Sequence, residues 1–264
     1  MHIYFNFMFF LSGLVLASFF NALLYRIDND YKYPDIFIKG SHCEKCGKLL
    51  KTYELIPILS FFIFKGKCPV CGYKIPWYYP ISEFFLGIGF ASIYYFSLSP
   101  ILYLVLIFLF SFSYFDRIHK GVPKIFINIF LGAIAFYFVL MTILSDKIPE
   151  NALLLSLGLV LFIFLLTKLL KKKFGLGDLL VLVGLGLVLN MKLYISYIYI
   201  FLFLSTGYAL LKIALKKATF KSSIPLLPFI YISFSILLVL YEYISYHLRI
   251  FDISVILEYL RNFC

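Results

Sequence analysis

Long apolar runs alternate along this chain with short polar islands, and one polar stretch, 26–79, is much longer than the rest. Crossing the hydrocarbon core of a bilayer takes about 20 consecutive, mostly apolar residues, because every backbone polar group there must be satisfied within the segment. Runs of this kind lie near 5–24, 80–97, 99–115, 125–145, 152–168, 178–190, 194–211 and 224–241. The pattern predicts an all-α polytopic membrane protein of about eight transmembrane helices with a small cytoplasmic loop domain. The first run resembles a secretory signal in hydropathy, but no basic segment precedes it and Arg26 and further spans follow it, so it is expected to stay in the mature protein. The expected organisation is a first transmembrane helix over 1–25, a loop domain over 26–79, a membrane domain of about seven helices over 80–242 and a tail over 243–264. In that tail Leu248, Ile250, Ile253, Ile256 and Leu260 suit a short helix lying on the membrane.

Composition agrees: 63% of residues are hydrophobic, 14% are charged and the mean hydropathy is +0.97, which excludes an ordinary water-soluble domain. A net charge of +11 would suggest a nucleic-acid surface in a soluble protein. Its placement argues otherwise. With 26–79 in the cytoplasm, eight spans put 116–124, 168–177 and 212–223 on the same side, and of the 24 Lys and Arg residues only Lys147, Lys192, Arg249 and Arg261 fall opposite. That is the positive-inside bias, and it accounts for the basic charge without nucleic acid.

Four of the five cysteines form two pairs, Cys43-Glu-Lys-Cys46 and Cys68-Pro-Val-Cys71, each followed at once by a glycine, Gly47 or Gly72. Two residues between the thiols let one tight turn present both sulfurs, and the glycine lets the backbone turn beneath an ion. Two such turns close a tetrahedral set with no open position, the donor set of a structural Zn2+. Iron is second by ligand softness. The competing reading is two disulfides, which a reducing cytoplasm disfavours. A loop this short buries little apolar surface, so metal binding is expected to supply its folding free energy. His42 reads as a solvated loop histidine and Cys264 as an inert thiol.

Two of the 13 acidic residues sit at the edges of apolar runs. Asp116 closes the third run directly after Tyr114-Phe115, and Asp178 opens the sixth directly after Gly175-Leu-Gly177. Both fall at cytoplasmic ends of spans, at matched depth, where ionisable groups are costly unless solvated, paired or used. Carboxylates brought together share a proton and titrate as a pair. One can then take a proton from water while the other protonates a scissile carbonyl or leaving amine. Gly175 and Gly177 would let a substrate backbone approach the carboxylate. Taken singly, Asp178 reads first as a helix N-cap after a glycine turn, and Asp116 as an interfacial charge offset by Arg117 or His119.

Further motifs follow in order: Gly13-Leu-Val-Leu-Ala-Ser-Phe-Phe-Asn21 with Tyr25-Arg26, then Cys43-x-x-Cys46, Ile56-Pro57-Ile-Leu-Ser60, Lys65-Gly66-Lys67-Cys68-x-x-Cys71, Tyr79-Pro80 with Glu83, Asp116 with Val122-Pro123, Gly175-Leu-Gly177-Asp178, and Ile224-Pro225-Leu-Leu-Pro228-Phe229. This ordered set resembles the type IV prepilin peptidase family. The resemblance implies an aspartic endopeptidase that removes the leader of prepilins or pseudopilins, with Asp116 and Asp178 as the catalytic pair and Gly175, Gly177 and Glu83 in support. It also implies Zn2+ on Cys43, Cys46, Cys68 and Cys71. Members with the cysteine loop often methylate the new N-terminus from S-adenosylmethionine, for which Glu83 and Arg26 are the candidates. The implied setting is the bacterial cytoplasmic membrane, with the active site and cysteine loop facing the cytoplasm and the bilayer and prepilin-like substrates as partners. The chain departs from the family at Leu179-Leu180, where valine-lysine is usual, at Lys124, where an aspartate is usual, and at Ala17, where glycine is common. Two other classes stay open. Paired carboxylates also serve proton or cation transport, with a site expected near the midplane. A membrane methyltransferase alone is the other, although no glycine-rich dinucleotide-type loop follows a strand.

Overall fold

The computed structural model describes residues 2–145, 157–158, 161, 175–216 and 225–250. Its helices are α1 (His2–Asp28), α2 (Asp35–Ile38), α3 (Leu59–Ile63), α4 (Tyr78–Tyr95), α5 (Ile101–His119), α6 (Lys124–Ser145), α7 (Leu176–Val188), α8 (Met191–Ala214), α9 (Leu227–Val239) and α10 (Tyr241–Ile250), with a 3-10 turn at Thr52–Leu55. Among the described residues, strand pairing is limited to two isolated bridges, His42 with Leu49 and Lys67 with Lys74.

Among the described residues, four helical stretches are long and apolar enough to cross a bilayer: Ile3–Asp28, Ile101–His119, Lys124–Leu144 and Met191–Ala214. The run expected at 178–190, itself 13 residues long, folds as α7 of the same length, and the run expected at 224–241 contains α9, also of 13 residues. At 1.5 Å per residue that is about 20 Å, short of the ~30 Å hydrocarbon core. The expected span at 80–97 is helical as α4 but is not one of the four. The span expected at 152–168 lies, apart from 157–158 and 161, outside the described residues. Of the eight expected spans, four are full-length helices, one is α4, two are the short α7 and α9, and one lies almost wholly outside the described residues. Hydropathy alone did not register that glycine and proline turns begin the short ones. At the start of the expected tail the chain is helical as α10, to Ile250, and the remainder, including Cys264, lies outside the described residues.

The chain divides into two compact units, Met1–Leu98 and Ser99–Cys264. In the first, α1 and α4 touch backbone to backbone. A Cβ built on Gly13 would lie 2.8 Å from the Gly87 Cα and from the Leu86 carbonyl oxygen, the close approach that small residues allow between membrane helices. Phe9 stacks on Tyr94 with ring centroids 4.4 Å apart. Ile3, Phe7, Met8 and Val15 leave an exposed apolar face on α1, as a lipid-facing helix requires.

In the second unit α5 is central, with Val105, Leu106, Leu109, Phe110 and Phe112 all fully buried. Phe110 meets Tyr231 of α9 edge to face at 5.8 Å, and Phe112 meets Phe130 of α6 at 5.3 Å. Phe130 also lies against Gly184 of α7, where an added Cβ would sit 2.7 Å from its ring. Helix α8 begins at Asn190, whose side chain accepts the Leu193 N–H at 2.9 Å, a favoured cap. Tyr194 of α8 then donates to the Leu182 carbonyl of α7 at 3.2 Å, and Tyr197 packs on Phe234 of α9. Aromatic side chains therefore join α5 to α6 and α9, and α9 to α8.

Candidate functional site

The cysteine loop is built from one turn used twice. Around the first pair, Cys43 N–H donates to Lys48 O, Gly47 N–H to Cys43 O and Leu50 N–H to Ser41 O; around the second, shifted by 25 positions, Cys68 N–H donates to Tyr73 O, Gly72 N–H to Cys68 O and Ile75 N–H to Gly66 O. Gly47 and Gly72 hold φ of 69° and 67°, the left-handed region where glycine carries no steric cost. This structural repeat is visible in the sequence only as two Cys-x-x-Cys-Gly motifs. The four sulfurs lie within 4.8 Å of one another, with Cys43 to Cys71 at 3.8 Å and Cys46 to Cys68 at 4.0 Å. All four are free thiols, so the disulfide alternative is not realised. Sulfurs bound at about 2.3 Å around a tetrahedral Zn2+ would stand roughly 3.8 Å apart, so the donor set fits the ion. The backbone N–H groups of Cys71 and Val70 pull the Cys68 thiol down to about 6, toward the thiolate a metal needs. His42 is not among the clustered donors; its ring lies against Tyr25 and Tyr31. Beside the first turn, buried Glu54 pairs with Lys48 and accepts the Lys51 N–H at 2.8 Å.

In the same unit, a cavity of about 200 Å3 is lined by Ser18, Asn21, Arg26, Ile58 and Glu83, among others. Glu83 is buried in α4, and its Oε2 accepts the Ile58 N–H at 2.8 Å. Ile58 sits at φ 60°, ψ −53°, and Leu59 N–H closes back on Pro57 O at 2.5 Å. This is a γ-turn of the rare, strained hand, centred on a β-branched residue for which positive φ is an outlier. Such strain persists where the surroundings fix it, and it concentrates at functional sites. Asn21 donates to Ser82 at 3.4 Å, while its buried Oδ1 has no hydrogen-bond partner among the described residues. Arg26 is buried and donates to the Ile36 carbonyl at 3.0 Å, so its head braces α2.

The two aspartates lie in the second unit. Asp116 is in the last turn of α5 and 5% exposed. Lys120, at φ 54°, ends that helix. Asp178 is in the first turn of α7, where Gly175 is the N-cap and no side chain caps the helix. The N-cap reading of Asp178 therefore does not hold. Separated by more than sixty positions in sequence, the two carboxylates are near enough to interact electrostatically. The glycines have separate reasons. A Cβ on Gly175 would lie 2.8 Å from Asp178 Oδ2, whereas one on Gly177 would meet only the Ile127 Cδ1, at 3.1 Å. Gly175 thus makes room for the carboxylate itself. Asp116 Oδ2 accepts the Leu227 N–H at 3.1 Å, a partner sequence reasoning missed because a backbone donor has no sequence signature. The Pro225 to Pro228 motif was the available signal, since prolines there start α9 at that point.

Residues 11–97 match the sequence model of the bacterial peptidase A24 N-terminal domain. The chain is 40% identical over 83 residues to the prepilin leader peptidase/N-methyltransferase of Bacillus subtilis, covering 31% of this chain and 32% of that protein. It is 36% identical over 81 residues to the protein of the same name from Myxococcus xanthus, covering 31% and 23%, and 36% identical over 76 residues to that from Vibrio cholerae, covering 27% and 30%. The matched stretches thus span a third or less of these relatives' lengths. No solved structure gives a significant match. The matched domain falls inside the first compact unit, the one holding the cysteine centre and Glu83, and Asp116 and Asp178 lie beyond it. Through that domain the chain is recognised as similar to the type IV prepilin peptidases.

Proposed function

We propose that the chain is a membrane aspartic endopeptidase that removes the leader peptide of type IV prepilins or pseudopilins at the cytoplasmic face of the bacterial inner membrane. The observation that carries this reading is the approach of Asp116 and Asp178 from helices remote in sequence. In the proposed reaction one carboxylate takes a proton from water, and the water oxygen bonds to the scissile carbonyl carbon. The other carboxylic acid gives its proton to the carbonyl oxygen. As the tetrahedral intermediate collapses, the C–N bond breaks and the leaving amine takes up a proton from the pair. The basic residues of the polar islands would draw the leader to this face while the substrate's apolar helix stays in lipid. The names of the relatives support prepilin processing as the activity. The test is co-expression with a prepilin, reading leader loss by gel shift. Asp116→Asn and Asp178→Asn should each abolish cleavage while the protein still accumulates in the membrane, and processing retained by either variant would sink the mechanism.

The cavity beside Glu83 supports a second activity, methylation of the newly formed N-terminus. Its buried carboxylate and the free Asn21 Oδ1 suit a cationic ligand, an ammonium or a sulfonium. S-adenosylmethionine, when bound, supplies the methyl group. Glu83 would hold the amine and accept its proton, with Ser18 and the Ile58 N–H fixing the carboxylate. Mass analysis of the processed substrate tests this: the Glu83→Gln variant should release a cleaved but unmethylated product.

A further inference from the structure

A helix leaves its first four N–H groups without intrahelical partners, and at the start of α9 the destination of each can be followed. Leu227 is the first helical residue, after Leu226 as N-cap. Pro228, the second, has no N–H to offer. Phe229 and Ile230 both turn back to the Leu226 carbonyl, at 3.0 and 3.1 Å. The Leu227 N–H is left, and it donates to Asp116 Oδ2 at 3.1 Å across 111 positions of sequence. Both ends are buried, with Leu227 only 2% exposed. Pro225 and Pro228 bracket this donor in sequence, and each fixes its own φ. The edge-to-face contact of Phe110 with Tyr231 fixes α9 against α5 about one turn further along.

We propose that the Leu227 N–H is a positioning donor for the Asp116 carboxylate, locking its orientation so that the remaining lone pairs face the attacking water. The proposal rests on the reading of Asp116 as half of the catalytic pair. A hydrogen bond that only orients a reacting group lowers kcat when removed and leaves substrate binding unchanged.

The test uses the full chain in detergent and a purified prepilin as substrate. Three forms separate the backbone group from the side chain. Replacing Leu227 by its α-hydroxy acid converts the N–H to an ester oxygen and keeps the side chain. Leu227→Pro removes the same N–H but sets a proline after Leu226, whose helical φ −94°, ψ −31° a following proline disfavours, so its folding is checked first. Leu227→Met keeps the N–H and nearly the volume. The ester and proline forms should lose on the order of tenfold or more in kcat, as for a hydrogen bond to a charged group, with KM unchanged, and should lose more than Leu227→Met, which keeps the N–H. If the proline form does not elute as a single species, the ester form decides. Wild-type kcat in the ester form, or a rise in KM alone, overturns the positioning role while inactivity of Asp116→Asn leaves the peptidase reading intact. Cleavage by Asp116→Asn would overturn both.

Discussion

Gly175→Ala tests most directly whether the carboxylate of Asp178 needs its present position. Gly175 is the N-cap of α7 at φ −68°, ψ 116°, a conformation open to alanine, so the substitution introduces no backbone strain. The new Cβ, however, would lie 2.8 Å from Asp178 Oδ2, about 0.5 Å inside the ~3.3 Å at which C···O contacts begin. The N-cap backbone is tied to the helix, so the carboxylate must move. A displacement of about 1 Å at a reacting group can cost on the order of a hundredfold in rate, so half of that should lower kcat about tenfold. The cost in stability is small, since exchanging glycine for alanine at an N-cap is worth about 1 kcal/mol or less, or roughly 2–4 °C in Tm for a chain of this size. Gly177→Ala is the control. Its Cβ meets only the terminal methyl of Ile127 at 3.1 Å, which can rotate away. Prepilin cleavage with purified variants, alongside thermal unfolding in detergent, should show Gly175→Ala slow but folded and Gly177→Ala close to wild type. Wild-type turnover in Gly175→Ala, or equal loss in both, refutes the argument that the first glycine exists to house the carboxylate.

Three more outcomes follow from the first unit. Metal analysis should find one Zn2+ per chain, and Cys43→Ser or a strong chelator should remove it; hydrogen exchange should then rise over residues 41–75 while α1 and α4 stay protected, and equal exchange with and without metal would contradict a folding role. Glu54, held below the usual carboxylate range first by the Lys48 ammonium and then by the Lys51 N–H, contributes stability that is fully present above its unfolded value near 4.5 and is lost as pH falls through the lower folded value. The single tryptophan, Trp77, whose ring lies 4.7 Å from that of Phe61, should report this as an acid loosening that Glu54→Gln no longer shows. Between α1 and α4, Gly13→Ala drives a methyl against Gly87 and Leu86 backbone, whereas Gly87→Ala meets only the Leu14 and Phe10 side chains; thermal unfolding should show Gly13→Ala losing about 1–3 kcal/mol, as overpacking does, and Gly87→Ala less.

What the sequence disclosed and what it hid divides by the kind of interaction. The cysteine cluster was legible to the residue, because thiols that could hold a metal are written in the sequence at fixed spacing, and the structure brings all four sulfurs together. In the sequence, Asp116 and Asp178 stand out only because each marks the end of an apolar run. Hydropathy measures how apolar a run is and not where its helix begins. The Gly175-Leu-Gly and Pro225-Leu-Leu-Pro segments that begin α7 and α9 are the ones that present Asp178 and the Leu227 N–H. A full-length span would bury a helix start in the headgroup region, whereas a short helix can begin beside a buried carboxylate, its unpaired donor satisfied by Asp116. Backbone partners of this kind, with the Ile58 N–H on Glu83 as the second, carry no residue signature and emerge only when every buried donor is followed to its acceptor. The turns that break the apolar pattern are what allow the Leu227 N–H and the Asp116 carboxylate to meet inside it.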